Sequence, residues 1–80
     1  MAYHTRKIKK GVIGEFSKIK EEFEELEDAN IQGDKVLEVC ELTDLLGAIE
    51  LYSKNKYNLT INDLKVFSDK TQESFLDGTR

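Results

Sequence analysis

Apolar residues recur at alternating spacings of four and three, from Val12 through Phe16, Ile19 and Phe23 to Leu26. That is the stripe of one amphipathic helix face. It predicts a first helix from about Gly11 or Val12 to Ile31, closed by Gly33, with Asp34 placed to cap the next one. In the second helix, about Lys35 to Lys54, Val36, Leu37, Val39, Leu42, Leu45, Leu46, Ile49 and Leu51 fit no single face. A helix apolar nearly all round requires neighbours on every side. A loop is expected over residues 54–58. Thr60 and Asp63 then stand at capping-box spacing, with Leu59 and Leu64 placed as a hydrophobic staple. They open a third helix that carries Ile61, Leu64, Phe67, Thr71 and Phe75 on one side and ends near Gly78. The absence of proline and the presence of only five glycines suit helix throughout.

The fold class is therefore all-α, a three-helix subunit. Two helices of the same chain cannot cover the second one fully, so subunits are expected to assemble as a homo-oligomer into a larger helical bundle. Length points the same way. Eighty residues make a single domain, 1–80, and a chain this short buries only somewhat over ~60% of its unfolded surface. Residues 1–10 lack periodicity and are expected to form a basic N-terminal arm whose order depends on partners.

The formal net charge of −4 conceals two opposed blocks: Arg6, Lys7, Lys9 and Lys10 in the arm, and six acids among the eight residues from Glu21 to Asp28. The acidic balance argues against binding a nucleic acid polymer, although the short arm can meet a phosphate group. One cysteine, Cys40, excludes an intrachain disulfide and suits a reducing compartment; between Val39 and Glu41 it reads as a small core residue. No apolar run is long enough for a bilayer and the polar N-terminus is no secretory signal, so a cytoplasmic protein without membrane partners is expected.

Two acids break the apolar run of the second helix. Leu37, Glu41, Asp44, Leu45, Ala48 and Tyr52 share one stripe, so both carboxylates point where the aliphatic side chains point. The first helix offers Glu22 and Glu25 at the same spacing. Packed antiparallel across the short turn at Gly33, the two helices can gather four carboxylates. At an effective dielectric of about 20, two charges about 5 Å apart repel by about 3 kcal/mol, so such a cluster demands compensation. A hard cation, Mg²⁺ or Mn²⁺, supplies it through carboxylate and water oxygens without His or Cys. A structural ion pair with lysine is the competing explanation for Glu41 and Asp44. Glu21, Glu24, Glu27 and Asp28 read as a solvated face, and His4 as a solvated arm residue. Glu38, near the stripe edge, has three open roles: an extra ligand, a base that orients water, or a surface residue.

Glu22-x-x-Glu25, fifteen intervening residues and Glu41-x-x-Asp44 resemble the ExxE…ExxD signature of the MazG-like all-α nucleoside triphosphate pyrophosphohydrolases. The likeness covers residues 15–52; the third helix and the ending Phe75-Leu-Asp-Gly-Thr-Arg80 look, more weakly, like small phage-type members. The resemblance implies a homo-oligomer, a dimer or tetramer, with Mg²⁺ held by Glu22, Glu25, Glu41 and Asp44. It implies hydrolysis of a (d)NTP between the α and β phosphates to a monophosphate and pyrophosphate. Glu38 or Glu25 would position the attacking water, and Lys70, with Lys10 and Arg80 behind it, would neutralise the departing pyrophosphate. Tyr52 or Phe16 would stack on a base or belong to the core. Typical members add a further helix, which supplies some of their phosphate-gripping residues, and these eighty residues depart from that pattern in size. The alternative is accordingly a nucleotide-binding protein that sequesters a nucleotide signal without turnover. A helical adaptor with surface acids is the third possibility.

Overall fold

A computed structural model describes residues 4–76, the side chains of residues 74 and 75 apart. Its three α-helices are α1 (Phe16–Gln32), α2 (Lys35–Tyr57) and α3 (Ile61–Leu76), and the described residues include no strand. The expected end near Gly78, and the place of the Phe75 side chain, lie outside what is described.

Helix α1 starts later than its apolar stripe suggests. Gly14 sits at φ 86°, a left-handed conformation that cannot continue a helix. Residues 11–15 instead form a turn, closed by Glu15 N–H on the Val12 carbonyl (3.0 Å) and Val12 N–H on Ser17 Oγ (3.0 Å). Gly11 is packed so tightly on the Ser17 carbonyl that a Cβ would overlap it. At the other end Gly33 adopts φ 74° and donates to the Ala29 and Asn30 carbonyls, and Asp34 caps α2 by accepting from Leu37 N–H at 3.0 Å, both as its residue type predicts.

Helix α2 runs past Lys54 to Tyr57, so most of the expected second loop is helical. Asn58, at φ 57°, ends it with its N–H on the Lys54 carbonyl (3.1 Å) while the following Leu59 N–H reaches the Ser53 carbonyl (3.2 Å), and asparagine tolerates that conformation better than most residues. Asn55 ties the overrun to the turn before α1 by donating to the Gly14 carbonyl at 3.1 Å. The capping box of α3 forms reciprocally: Thr60 N–H reaches Asp63 Oδ2 (2.9 Å) and Asp63 N–H reaches Thr60 Oγ1 (3.2 Å).

Helices α1 and α2 pack along an antiparallel seam, and α3 makes no comparable contact with either. The seam is thin. Its fully buried apolar residues among those described are Ala29 and Ala48, with Ile19, Leu26, Leu37, Leu45 and Ile49 half-buried beside them. Two sequence expectations fail here. Phe16 and Phe23 of the α1 stripe stay exposed, because α1 turns Glu22 and Ala29 toward α2 instead, and Cys40 lies on the surface. No helix among the described residues is long and apolar enough to cross a membrane.

A candidate metal centre under an N-terminal strap

The antiparallel seam brings the two acidic pairs together. Glu22, Glu41 and Asp44 each place a carboxylate oxygen within 4.8 Å of the others, and Glu21, Glu22 and Glu25 form a second such group. Glu22 and Glu41 are buried, Glu25 is half-buried and Asp44 is exposed at the rim. Burial pushes the Glu25 carboxyl up to about 8, and the adjoining carboxylates of Glu22 and Glu41 push it the same way. Lysine compensation is partial: Lys18 Nζ lies 2.9 Å from Glu22 Oε1 and 3.1 Å from Glu21 Oε1. It leaves Glu22 Oε2 and Glu41 Oε2 buried with no donor among the described residues. A protonated Glu25 has a single O–H and can satisfy only one of them. A cation or an ordered water is needed to satisfy both.

The arm is the main correction to the sequence expectations. Residues 4–11 are not a free segment but a strap laid along the acidic side of α1. Asp28 accepts the Thr5 hydroxyl, the Thr5 N–H (2.9 Å), His4 Nδ1 (3.0 Å) and Gln32 Nε2 (3.0 Å). These bonds, the Thr5 hydroxyl foremost, hold its carboxyl well below the ordinary carboxylate range. Arg6 donates to Glu27 Oε1 at 2.8 Å and to the Glu24 carbonyl at 3.0 Å. Gly11 N–H reaches Glu21 Oε1 at 2.8 Å, and Lys10 Nζ lies 3.6 Å from Glu21 Oε2. Burial alone would raise the Glu21 carboxyl, but the Gly11 N–H and the Lys18 ammonium outweigh it and the net shift is downward. Glu21 and Asp28, expected on a solvated face, are thus buried, 3% and 1% exposed; Glu24 is half-buried and Glu27 exposed as expected of such a face. His4, expected in solvent, has a side chain 16% exposed.

Strap and helices enclose an open cavity of about 730 Å³, lined by His4, Arg6, Lys10, Glu25, Glu41 and Asp44 with apolar Ile8, Val36 and Leu37. The remaining sequence candidates stand elsewhere. Glu38 accepts from Asn30 Nδ2 at 3.1 Å in an exposed pair and joins none of the carboxylate groups. Lys70 is exposed on α3 and does not line the cavity, and Arg80 lies outside the described residues. Tyr52 meets Phe16 edge to face at 5.9 Å and Tyr57 at 6.2 Å, a packing role away from the cavity. Periodicity could not reveal His4, Thr5, Glu21 and Asp28 as a unit, since the face they share carries no apolar residue. The available signal was charge: a basic block before an acidic one in a short chain.

No protein-family model matches the chain, and no curated protein or solved structure is recognisably similar to it.

Proposed function

We propose that this chain is a divalent-cation-dependent nucleotide pyrophosphohydrolase of the MazG-like kind, cleaving a (d)NTP between the α and β phosphates. One observation carries the proposal: Glu22, Glu25, Glu41 and Asp44 converge from two helices and leave two buried carboxylate oxygens without donors. An all-oxygen donor set of this kind fits Mg²⁺, with Mn²⁺ as the alternative. Bound there, the ion would neutralise phosphate charge and acidify a water molecule. The protein's own part follows from the cavity lining. Glu22, Glu25, Glu41 and Asp44 would hold the ion, and Glu25, half-buried and facing the cavity, is placed to orient the attacking water. Its position favours it over Glu38 for that task. Arg6 and Lys10 bring positive charge to the same cavity and suit the departing pyrophosphate better than the remote Lys70.

The same proposal takes the chain as a homo-oligomer, for α2 keeps Val39, Leu42 and Leu46 exposed on the face turned away from α1. Binding without turnover is the second reading. It is favoured by Lys70 standing off the cavity, which leaves the strap cations, already paired with Glu21 and Glu27, as the only phosphate grip among the described sequence candidates. Incubation with a panel of (d)NTPs and Mg²⁺, followed by product analysis, separates the two. Hydrolysis yields pyrophosphate and is abolished by Glu41→Gln or Asp44→Asn. Sequestration returns the nucleotide intact at a fixed stoichiometry. Neither pyrophosphate nor bound nucleotide from any member of the panel would overturn both readings.

A further inference from the structure

The chain has one histidine, and the strap delivers it to the edge of the carboxylate cluster. We propose that His4 is a metal ligand: its Nε2, with one oxygen each from Glu25 and Glu41, forms a mixed nitrogen–oxygen position for a first-row transition-metal dication of the Mn²⁺ to Zn²⁺ series. The three ligand atoms lie within 4.8 Å of one another. This rests on the cation site proposed above, with which it shares Glu25 and Glu41, and adds a second position beside the all-oxygen group of Glu22, Glu41 and Asp44.

Three features point there. The first is the tautomer. Asp28, 1% exposed and acceptor-only while ionised, faces His4 Nδ1 at 3.0 Å, so Nδ1 is the nitrogen engaged as donor and Nε2 the one turned toward the carboxylates, where a metal can take the place of a proton. Thr5 and Gln32 fix that carboxylate in turn, giving the buried carboxylate–imidazole arrangement that orients histidine toward metals. The second is the distance: Nε2 stands 3.5 Å from Glu41 Oε1, too long for a good hydrogen bond and spaced for a shared cation. The third is independent of the histidine. The Glu41 side chain is 7% exposed, and its Oε2 is buried without a donor. Imidazole in the donor set selects against Mg²⁺, which prefers oxygen and keeps its waters, and in favour of the later divalent metals.

The test uses the ¹⁵N-labelled full chain purified without a histidine tag, so that a single imidazole is observed. Long-range ¹H–¹⁵N correlation spectra are recorded as Zn²⁺ or Mg²⁺ is added, with calorimetry in parallel. Zn²⁺ is expected to shift the Nε2 resonance to a stoichiometric end point, while Mg²⁺ binds without comparable perturbation of the ring. His4→Gln is expected to lower the preference for Zn²⁺ over Mg²⁺ by at least about tenfold, and Asp28→Asn to weaken Zn²⁺ binding by about 10–100-fold. Because the spectrum is that of the unsubstituted chain, a misfolded variant cannot decide the matter. If Zn²⁺ saturates the protein and Nε2 stays put, His4 is only an ion-pair bridge between Asp28 and Glu41; the inference is overturned and the carboxylate site stands. If no dication binds at all, both fall.

Discussion

Burial, and after it the carboxylates of Glu22 and Glu41, raise the Glu25 carboxyl from its ordinary 4.5 to about 8. Between those values the folded chain keeps a proton that the unfolded chain has released. The stability this contributes is complete below pH 4.5 and is lost as pH rises through about 8. In the absence of divalent metal the Tm is therefore expected to fall from about pH 5 to about pH 9, opposite to what a salt-bridged carboxylate produces. Glu25→Gln supplies a neutral side chain of the same shape. It should flatten that slope and raise the metal-free Tm at the alkaline end. Mg²⁺ competes with the proton for the same oxygens, so its stabilising effect should grow over the same interval. Thermal melts at a series of pH values, with Mg²⁺ or with chelator, read all three effects. A parent chain whose metal-free Tm climbs across the window would show that Glu25 is ionised and paired, and the cluster less crowded than its geometry indicates.

Among the elements, α1 and α2 form one body while α3 stands apart, and caps at their ends should respond differently. Asp34→Ala removes the bond to Leu37 N–H and should cost about 1 kcal/mol, a fall in Tm of about 4–8 °C for a domain of this size. Thr60→Ala breaks the capping box of α3. A 16-residue helix with so little tertiary support is marginal in water, so the loss should appear as lower helicity and faster amide exchange confined to residues 61–76. Equal Tm losses from both variants would mean that α3 melts with the pair. The caps were legible in the sequence because they are local: Gly33, Asp34, Thr60 and Asp63 act within four residues of themselves. The acidic pairs were legible because two helices joined by a two-residue turn can pack in few ways. Helix starts were less so, since the stripe from Val12 runs on past a break that Gly14 imposes. The strap was not legible at all. Asp28 is buried by Thr5 and His4, more than twenty residues upstream, and no periodicity reports a contact between an irregular segment and a polar helix face.

At the scale of the whole molecule, the chain exposes more surface than a compact fold of its size. Its accessible surface is 6202 Å², against about 4,900 Å² for a compact monomer of its mass, and its radius of gyration is 14.8 Å, against about 12 Å for a compact chain of its length. The excess is apolar in part: Leu42 and Leu46 of α2 are 49% and 52% exposed, one turn apart, with Val39 at 59% beside them. Covering a leucine fully contributes roughly 1.5–3 kcal/mol, so each of these leaves about 1 kcal/mol unrealised in the monomer. In the homo-oligomer proposed above a second copy of the chain would cover them, because a two-fold axis sets the same stripe against itself and doubles every contact. Light scattering after size exclusion should then report a dimer or a larger assembly, and the Tm should rise with protein concentration. Joint replacement Leu42→Glu and Leu46→Glu places like charges across the axis and should yield a monomer of lower Tm. The cluster lies on the opposite side of α2, so metal binding by that monomer would show that each subunit carries its own site. A parent chain that stays monomeric at every concentration, with and without divalent metal, would remove the oligomer from the account while leaving the carboxylates where they are.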